Sequence, residues 1–479
     1  MRFIFWLMGT VLMITGYGSA EEFFVRFKTP KTFDTFMGSG IERLRLIKDL
    51  VHCRIGRAFS FGSFRGLTID VSSEIAARIR KNPLVAEVVP NVVFNAFEHD
   101  DRQRGSRFHY DPRFTKLQRG APRHLSRLSR RSQLPYNSNG EEGRPARFNY
   151  YYDKKHRGEG VNAYIVDTGI YKEHEDFQGR AIFGLDLTGE GPGDGNGHGT
   201  HVAGIVGSKS FGVAKGVTMV EVKALNAKGQ GNLTTVISAM EFSVNHCRSS
   251  NRKGCVINLS LGAIRNSVIN QAVKAAHEAG MVIVVAAGNS NINACWNSPA
   301  SASQAISVGA FDDRTDTIAK FSNWGSCVDI FAPGVRVCSL SSLPPYKPTV
   351  FSGTSMASPS ITGLAAILLD KGVKHTEIKD HIIGMSTSDV FQRRTLIFKP
   401  GTPNRVAFNG VDKSDDRFSN PVYQAINDDS LIDDLRSYQP GLEKLRSIAD
   451  GGVTINNPKD DSPRPDCYPN PSKRTVLSP

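Results

Sequence analysis

Beyond Ala20 the chain has no apolar run near the roughly 20 residues that a membrane-spanning helix needs, so no membrane anchor is expected. A second Asp-Thr-Gly is also missing. The single copy, Asp167-Thr168-Gly169, leaves an aspartic-protease mechanism without the second carboxylate that must share its proton. Nor is there a His-Glu-x-x-His: His198 and His201 lie three apart with no carboxylate between them, which argues against zinc and gives His201 a structural role. Cysteine is sparse. The seven residues are an odd number, so at least one is unpaired or bonded to another chain.

Acidic residues are outnumbered, 46 against 59, for a formal charge of +13. The excess is local. From Arg102 to Arg147 twelve basic side chains meet only Asp111, Glu141 and Glu142. Charge crowded into one segment reads as a solvated, processable linker rather than a basic binding face, so no nucleic-acid partner is expected.

At 479 residues the chain exceeds one ordinary domain. Arg2, the apolar run Phe3–Ile14 and the small residues Gly18-Ser19-Ala20 form a secretory signal over residues 1–20, so the protein is expected outside the cell and its cysteines in an oxidising compartment. Residues 21–97 read as a small α+β, ferredoxin-like module, with strands at Phe23–Phe27, Gly66–Val71 and Val85–Val93 and helices at Glu42–Leu50 and Ser73–Lys81. Ser72 is placed to cap the second helix and Pro83 to end it. Between Glu98 and Asn149 hydrophobic periodicity fails, and residues 98–120 read as a basic processing linker.

From Val161 short apolar strands alternate with helices of ten or more residues. That pattern predicts an α/β domain over residues 121–410, a mostly parallel sheet with helices on both faces and its ligand cleft at the carboxyl ends of the strands. Asp167 ends one such strand. Residues 411–479, rich in Asp, Ser, Asn and Pro, lack the apolar content for a core and read as a mostly disordered extension.

Three stretches carry chemistry. Ser352–Pro359 reads Ser-Gly-Thr-Ser-Met-Ala-Ser-Pro, with Ser355 opening a helix to Leu369 and Pro359 near the first turn, where its missing N–H is tolerated. His198 lies between Gly197 and Gly199, and Asp167 in Val-Asp-Thr-Gly. A serine hydroxyl is a poor nucleophile unless an imidazole takes its proton and a carboxylate orients the imidazole, so the three form one reaction unit. The Ser355 amide, at a helix N-terminus, is suited to hold a developing oxyanion.

These boxes, in the chain order Asp, His, Ser, resemble those of the subtilisin-like serine proteases (subtilases). Residues from about Ala121 to Gly410 are similar to the secreted, proteinase K-like fungal branch. The resemblance implies a serine endopeptidase of broad specificity acting on proteins and peptides, with an apolar or aromatic preference, no catalytic cofactor and a monomeric state. It implies that Asn289 completes the oxyanion hole. Ser260-Leu261-Gly262 and Ala286-Ala287-Gly288 would wall the specificity pocket, and Gly229-Gln230-Gly231 would pair with substrate backbone. Residues 21–97 become an inhibitory propeptide whose Ala86–Phe97 strand fills the cleft, with maturation between Asn95 and Arg119.

By the same resemblance Asp329 and the carbonyls of Ser303 and Ala305 would hold a structural calcium, and Cys295 would pair with Cys327. Cys247 and Cys255 would clip a short loop, leaving Cys338 as a buried free thiol, with other pairings open. Asn232 opens an acceptor sequon expected to carry sugar; a second, at Asn258, lies in an apolar strand. The chain departs from the family at Arg123 and His124, which replace a tryptophan and a glycine, and at Ser360, where many members have histidine. Those departures motivate a second reading, a catalytically idle binding protein that retains its propeptide.

Overall fold

A computed structural model describes residues 21–37, 54–97, 115–134 and 148–411. The signal segment, the expected Glu42–Leu50 helix, most of the linker and the extension beyond residue 411 lie outside the described residues, as do Cys53 and Cys467. The chain divides into two units after Asn91.

In the first unit β1 (Glu21–Phe27), β2 (Arg54–Phe61), β3 (Phe64–Val71) and β4 (Val85–Pro90) form an antiparallel sheet of order β2-β3-β1-β4. Helices Pro30–Thr35 and Ser73–Arg80 complete the βαββαβ order of a ferredoxin-like unit. Alternation makes its core: Phe23, Val25 and Phe27 of β1 and Leu67, Ile69 and Val71 of β3 point to one face and meet Ala76 and Ile79 of the second helix. Ser72 caps that helix, its hydroxyl accepting from the Ile75 N–H, as the sequence predicts. The last strand is shorter than expected. It ends at Pro90, and the residues after Asn91 pair elsewhere.

The second unit adds β5 (Val93–Ala96), β6 (Thr115–Ala121), β7 (Phe148–Asp153), β8 (Val161–Asp167), β9 (Ala181–Asp186), β10 (Thr218–Lys223), β11 (Gln230–Asn232), β12 (Gly254–Leu259), β13 (Leu261–Ile264), β14 (Val282–Ala286) and β15 (Asn297–Ser298). Beyond them come β16 (Ile306–Asp312), β17 (Thr317–Ile318), β18 (Ile330–Pro333), β19 (Val337–Ser339), β20 (Thr349–Phe351), β21 (Thr387–Ser388) and β22 (Arg405–Val406). The main sheet runs β21-β22-β18-β16-β14-β12-β8-β10-β9. From β22 to β9 every pairing is parallel; β21 and β17 attach antiparallel.

Buried strands take both faces of this sheet. Val161, Ala163 and Ile165 of β8 share a core with Val202, Ile205 and Val206 of helix His198–Gly207 and with Ile361 and Leu364 of helix Thr354–Asp370. On the opposite face Tyr164 meets His246 of helix Leu233–Ser249 through a 2.8 Å bond between its hydroxyl and Nδ1. After β8 the chain builds outward to β9 and β10 on one side, then from β12 onward on the other. The switch between β8 and β12 opens a crevice at their carboxyl ends, where Asp167 and Ser260 lie.

The segment read as featureless is ordered in part. β6 pairs antiparallel with β7, and helix Arg123–Leu128 follows β6. Charge anchors this helix. Arg123 Nε lies 3.0 Å from Asp313 Oδ1, and Arg127, wholly buried, donates from Nε and Nη2 to the two carboxylate oxygens of Asp316 at 3.2 Å each. Arg131 lies over the Phe408 ring, 4.1 Å from its centroid. Three of the segment's basic residues are thus spent on internal contacts. The departures at Arg123 and His124 are accommodated, since His124 Nε2 donates to the Phe211 carbonyl at 3.0 Å.

Candidate active site

Two glycine turns bring Asp167 and His198 together. A Cβ on Gly199 would lie 2.2 Å from the Gly169 carbonyl oxygen, so the first turn of the His198 helix can seat against the Asp167-Thr168-Gly169 turn only without a side chain there. Gly169 itself has φ +116°. His198 Nδ1 and Asp167 Oδ1 are 2.7 Å apart, and both side chains are fully buried. A carboxylate only accepts, so Nδ1 carries the proton and Nε2 is the basic nitrogen of the neutral ring. Asp167 Oδ1 also accepts from the Thr168 N–H at 2.8 Å.

Asp194, which sequence reasoning missed, organises this corner. Its carboxylate accepts from the Thr168 and Thr200 hydroxyls and from the N–H groups of Asn196, Gly197 and Thr200, at 2.6–3.1 Å. Thr168 Oγ1 in turn accepts from the Gly199 N–H at 2.9 Å. The carboxylate thereby ties the strand bearing Asp167 to the helix bearing His198. Beneath it the buried Lys223 ammonium donates to the Thr168 carbonyl at 2.9 Å and the Gly193 carbonyl at 3.1 Å. His201 is structural, as expected: its Nε2 donates to the carbonyls of Val337 and Thr349, and burial first, then the neighbouring His198, lowers its pKa to about 3.

Ser355 is the second residue of helix Thr354–Asp370, which packs along the His198 helix. Their approach is close: a Cβ on Gly363 would lie 3.2 Å from the Val206 carbonyl oxygen. The Ser355 hydroxyl donates to the Ser260 carbonyl at 3.1 Å, and Ser260 Oγ donates to the Ser355 carbonyl at 3.2 Å. Asn289 follows β14 and Gly288. Its Oδ1 accepts from the N–H and hydroxyl of Thr354 at 2.9 and 2.8 Å, which turns Nδ2 the other way. That Nδ2 is buried with no acceptor among the described residues. Asn323, also missed, shapes the loop. Its Oδ1 accepts from the Ser290 and Ile292 N–H groups and its Nδ2 donates to the Ala287 carbonyl.

Gly229, Gln230, Gly231, Leu261, Gly262 and Gly288 gather around one strand and the residue after it. β5 lies between β11 and β13, antiparallel to both, with Asn95 opposite Gln230 and Gly262, Phe94 opposite Gly231 and Ala96 opposite Leu261. Ala96 N–H donates to the Gly229 carbonyl at 3.0 Å. The Phe97 ring reaches the glycine walls: a Cβ on Gly262 would lie 2.8 Å from its Cζ, and one on Gly288 would lie 3.8 Å from it. A Cβ on Gly353 would lie 2.7 Å from the Phe97 carbonyl oxygen and 3.1 Å from Asn289 Nδ2, so both atoms face the same glycine just before the Ser355 helix.

The sequence and the fold are matched in known proteins. The Subtilase family matches residues 158–414. The chain belongs to that family. It is 46% identical over 449 residues to the subtilase-type proteinase RRT12 of Saccharomyces cerevisiae, covering 90% of this chain and 91% of that protein. Over 250 residues it is 45% identical to Proteinase T of Parengyodontium album, covering 52% of this chain and 84% of that one. The crystal structure of a cold adapted subtilisin-like serine proteinase superposes with a TM-score of 0.53 at 34% identity, covering 61% of this chain and all of that one. This subtilase is a serine endopeptidase with the subtilisin-like fold, and proteins are its substrates.

Other expectations for this subtilase divide. The bridges Cys247–Cys255 and Cys295–Cys327 are formed. Cys338 is not a free thiol: it is disulfide-bonded. Asn232 caps helix Leu233–Ser249, its Oδ1 accepting from the Thr235 N–H at 2.9 Å, whereas Asn258 is fully buried and bonded to Ser260 and Thr362. Ser360 is buried, and its hydroxyl has no partner among the described residues. Asp329 and the carbonyls of Ser303 and Ala305 do converge, but on the ammonium of Lys379, so the expected calcium ligands are already engaged as acceptors. Among the described residues no helix is long and apolar enough to cross a membrane.

Proposed function

We propose that this subtilase is made as a zymogen, is secreted, and cuts its own chain after Phe97 before acting on extracellular protein with broad specificity. The observation that carries this reading is the placement of residues 93–96, paired on both edges by main chain, followed by Phe97 with its carbonyl beside Asn289 and the glycine that precedes the Ser355 helix. Main-chain pairing on two sides fixes an extended peptide with little regard to its side chains, which supports broad specificity. The ring of Phe97 against Gly262 and Gly288 supports a preference for aromatic or large apolar residues before the cut. Arg2 and the apolar run after it support secretion.

In this reading the Ser355 hydroxyl leaves the Ser260 carbonyl, gives its proton to His198 Nε2 and attacks the scissile carbonyl carbon. Asp167 holds the imidazolium through Nδ1. The charge that forms on the carbonyl oxygen is held by Asn289 Nδ2 and the Ser355 amide. His198 then delivers its proton to the leaving nitrogen, the C–N bond breaks, and water, deprotonated by the same imidazole, releases the acyl group from Ser355. Residues 21–97 act as intramolecular inhibitor, and the enzyme works as a monomer without a catalytic cofactor.

The test is to secrete the parent and Ser355→Ala side by side. The parent is expected to give a mature form beginning at Glu98, to hydrolyse casein and to react with a fluorophosphonate. Ser355→Ala is expected to stay uncut, inactive and unlabelled. Casein cleavage or propeptide release by Ser355→Ala would remove the nucleophile assignment. A parent first cut elsewhere, with Phe97→Asp maturing at the same rate, would remove the cleavage-site assignment alone.

A further inference from the structure

The corner formed by Asp329, Ser303 and Ala305 is built for a cation, and the chain supplies one. Lys379 Nζ lies 2.8 Å from Asp329 Oδ1, 2.8 Å from the Ala305 carbonyl oxygen and 3.2 Å from the Ser303 carbonyl oxygen. An ammonium has three donors and here finds three acceptors. The other carboxylate oxygen of Asp329 accepts from the Ser307 N–H at 2.8 Å, and the Asp329 N–H donates to the Ser307 carbonyl at 2.9 Å, so the aspartate is locked to β16. Burial raises the Asp329 pKa, and the charge and hydrogen bond of Lys379 oppose that rise.

Calcium does not fit this set. It requires six to eight oxygens at about 2.3–2.6 Å, whereas here one carboxylate and two carbonyls already accept from the Lys379 ammonium and the second Asp329 oxygen accepts from the Ser307 N–H. A divalent ion beside the ammonium would also meet like charge where one carboxylate balances only one positive unit. Lys379 is itself misplaced by helix rules. It is the second residue of helix Ile378–Met385, in the first turn, where the macrodipole disfavours a cation. Its position is explained by the acceptors, not by the helix.

We infer that Lys379 is a covalently tethered replacement for a structural calcium, joining helix Ile378–Met385 to the loop that follows β15. β15, just before that loop, carries Ser298, which pairs with Ala263 of β13 beside the Gly262 wall. The replacement is independent of the proposed maturation and is tested without reading activity.

The experiment uses the full chain carrying Ser355→Ala, which limits self-digestion, and compares bound calcium and thermal unfolding. Calcium stoichiometry, measured by equilibrium dialysis, is expected to be the same with Asp329 and with Asp329→Asn. If Asp329→Asn loses one calcium, the corner is a metal site and the inference falls. In excess chelator Lys379→Met, which keeps the aliphatic stem, is expected to lower Tm by about 5 °C or more, because it leaves a largely buried carboxylate without its counter-charge. The pair Asp329→Asn with Lys379→Met is expected to recover most of that loss. An unchanged Tm in Lys379→Met, or a double variant no more stable than the single, would overturn the pairing.

Discussion

Asn289 is held so that its amide has one useful direction. With Oδ1 bound twice by Thr354, the Nδ2 group is left beside Gly353, at the glycine that the Phe97 carbonyl also faces, without needing to reorganise. Preorganised donors of this kind act on the transition state more than on bound substrate. Asn289→Leu is therefore expected to lower kcat by about 10²–10³-fold, the range known for removing this donor from subtilisin, with KM little changed; steady-state kinetics on a peptide ester or amide would measure both. The role of Asn289 as an oxyanion donor is what the kinetics would test, while its place just after a buried strand was readable from Val285–Gly288. Asp194 was not, because its work is to accept from backbone and threonine donors that leave no mark in the letters around it. The Lys379 corner was half readable. The resemblance named all three acceptors, Asp329 and the carbonyls of Ser303 and Ala305, as calcium ligands, but the cation they meet sits 50 positions downstream in an ordinary polar turn of helix.

The elements around the Asp-His pair depend on distance of approach more than on residue type. Gly199 and Gly169 let a helix end touch a strand end, and a methyl at position 199 would meet a carbonyl oxygen at 2.2 Å. Gly199→Ala is expected to push the His198 helix outward and lower kcat/KM by about a hundredfold, the scale of a 1 Å misplacement, while the folded protein retains its circular dichroism. An activity within twofold of the parent would show that the turn can give way elsewhere. The main sheet was legible from its apolar strands, since strands buried on both faces leave little ambiguity. Strands β6 and β7 were not, because their segment lacks apolar alternation and is anchored by Arg123–Asp313 and Arg127–Asp316, contacts of 190 and 189 positions' separation. The apolar run predicts one strand continuing from β4 into β5, whereas their partners divide them between two sheets.

At the scale of the whole molecule, buried imidazoles set an acid limit. Burial lowers the pKa of His124 to about 4 and that of His201 to about 3, against 6.5 for the exposed group. Between those values the unfolded chain binds protons that the folded one refuses, so stability is fully present above about pH 6.5 and falls as pH drops through the window. The His124 contribution alone is on the order of 3 kcal/mol. His124→Gln, which preserves a donor to the Phe211 carbonyl, is expected to flatten the fall of Tm between pH 6.5 and 4; an identical slope would place the acid sensitivity elsewhere.

The double edge pairing of β5 has a consequence for time as well as for specificity. Cutting the bond after Phe97 removes none of the hydrogen bonds that hold Val93–Ala96 between β11 and β13, so the new carboxyl terminus stays where it was made and competes with every incoming substrate. Under the proposed maturation the first cut therefore starts a clock without releasing the enzyme. Activity would then emerge after a lag, shortened as molecules already freed destroy the tails still lodged in their neighbours.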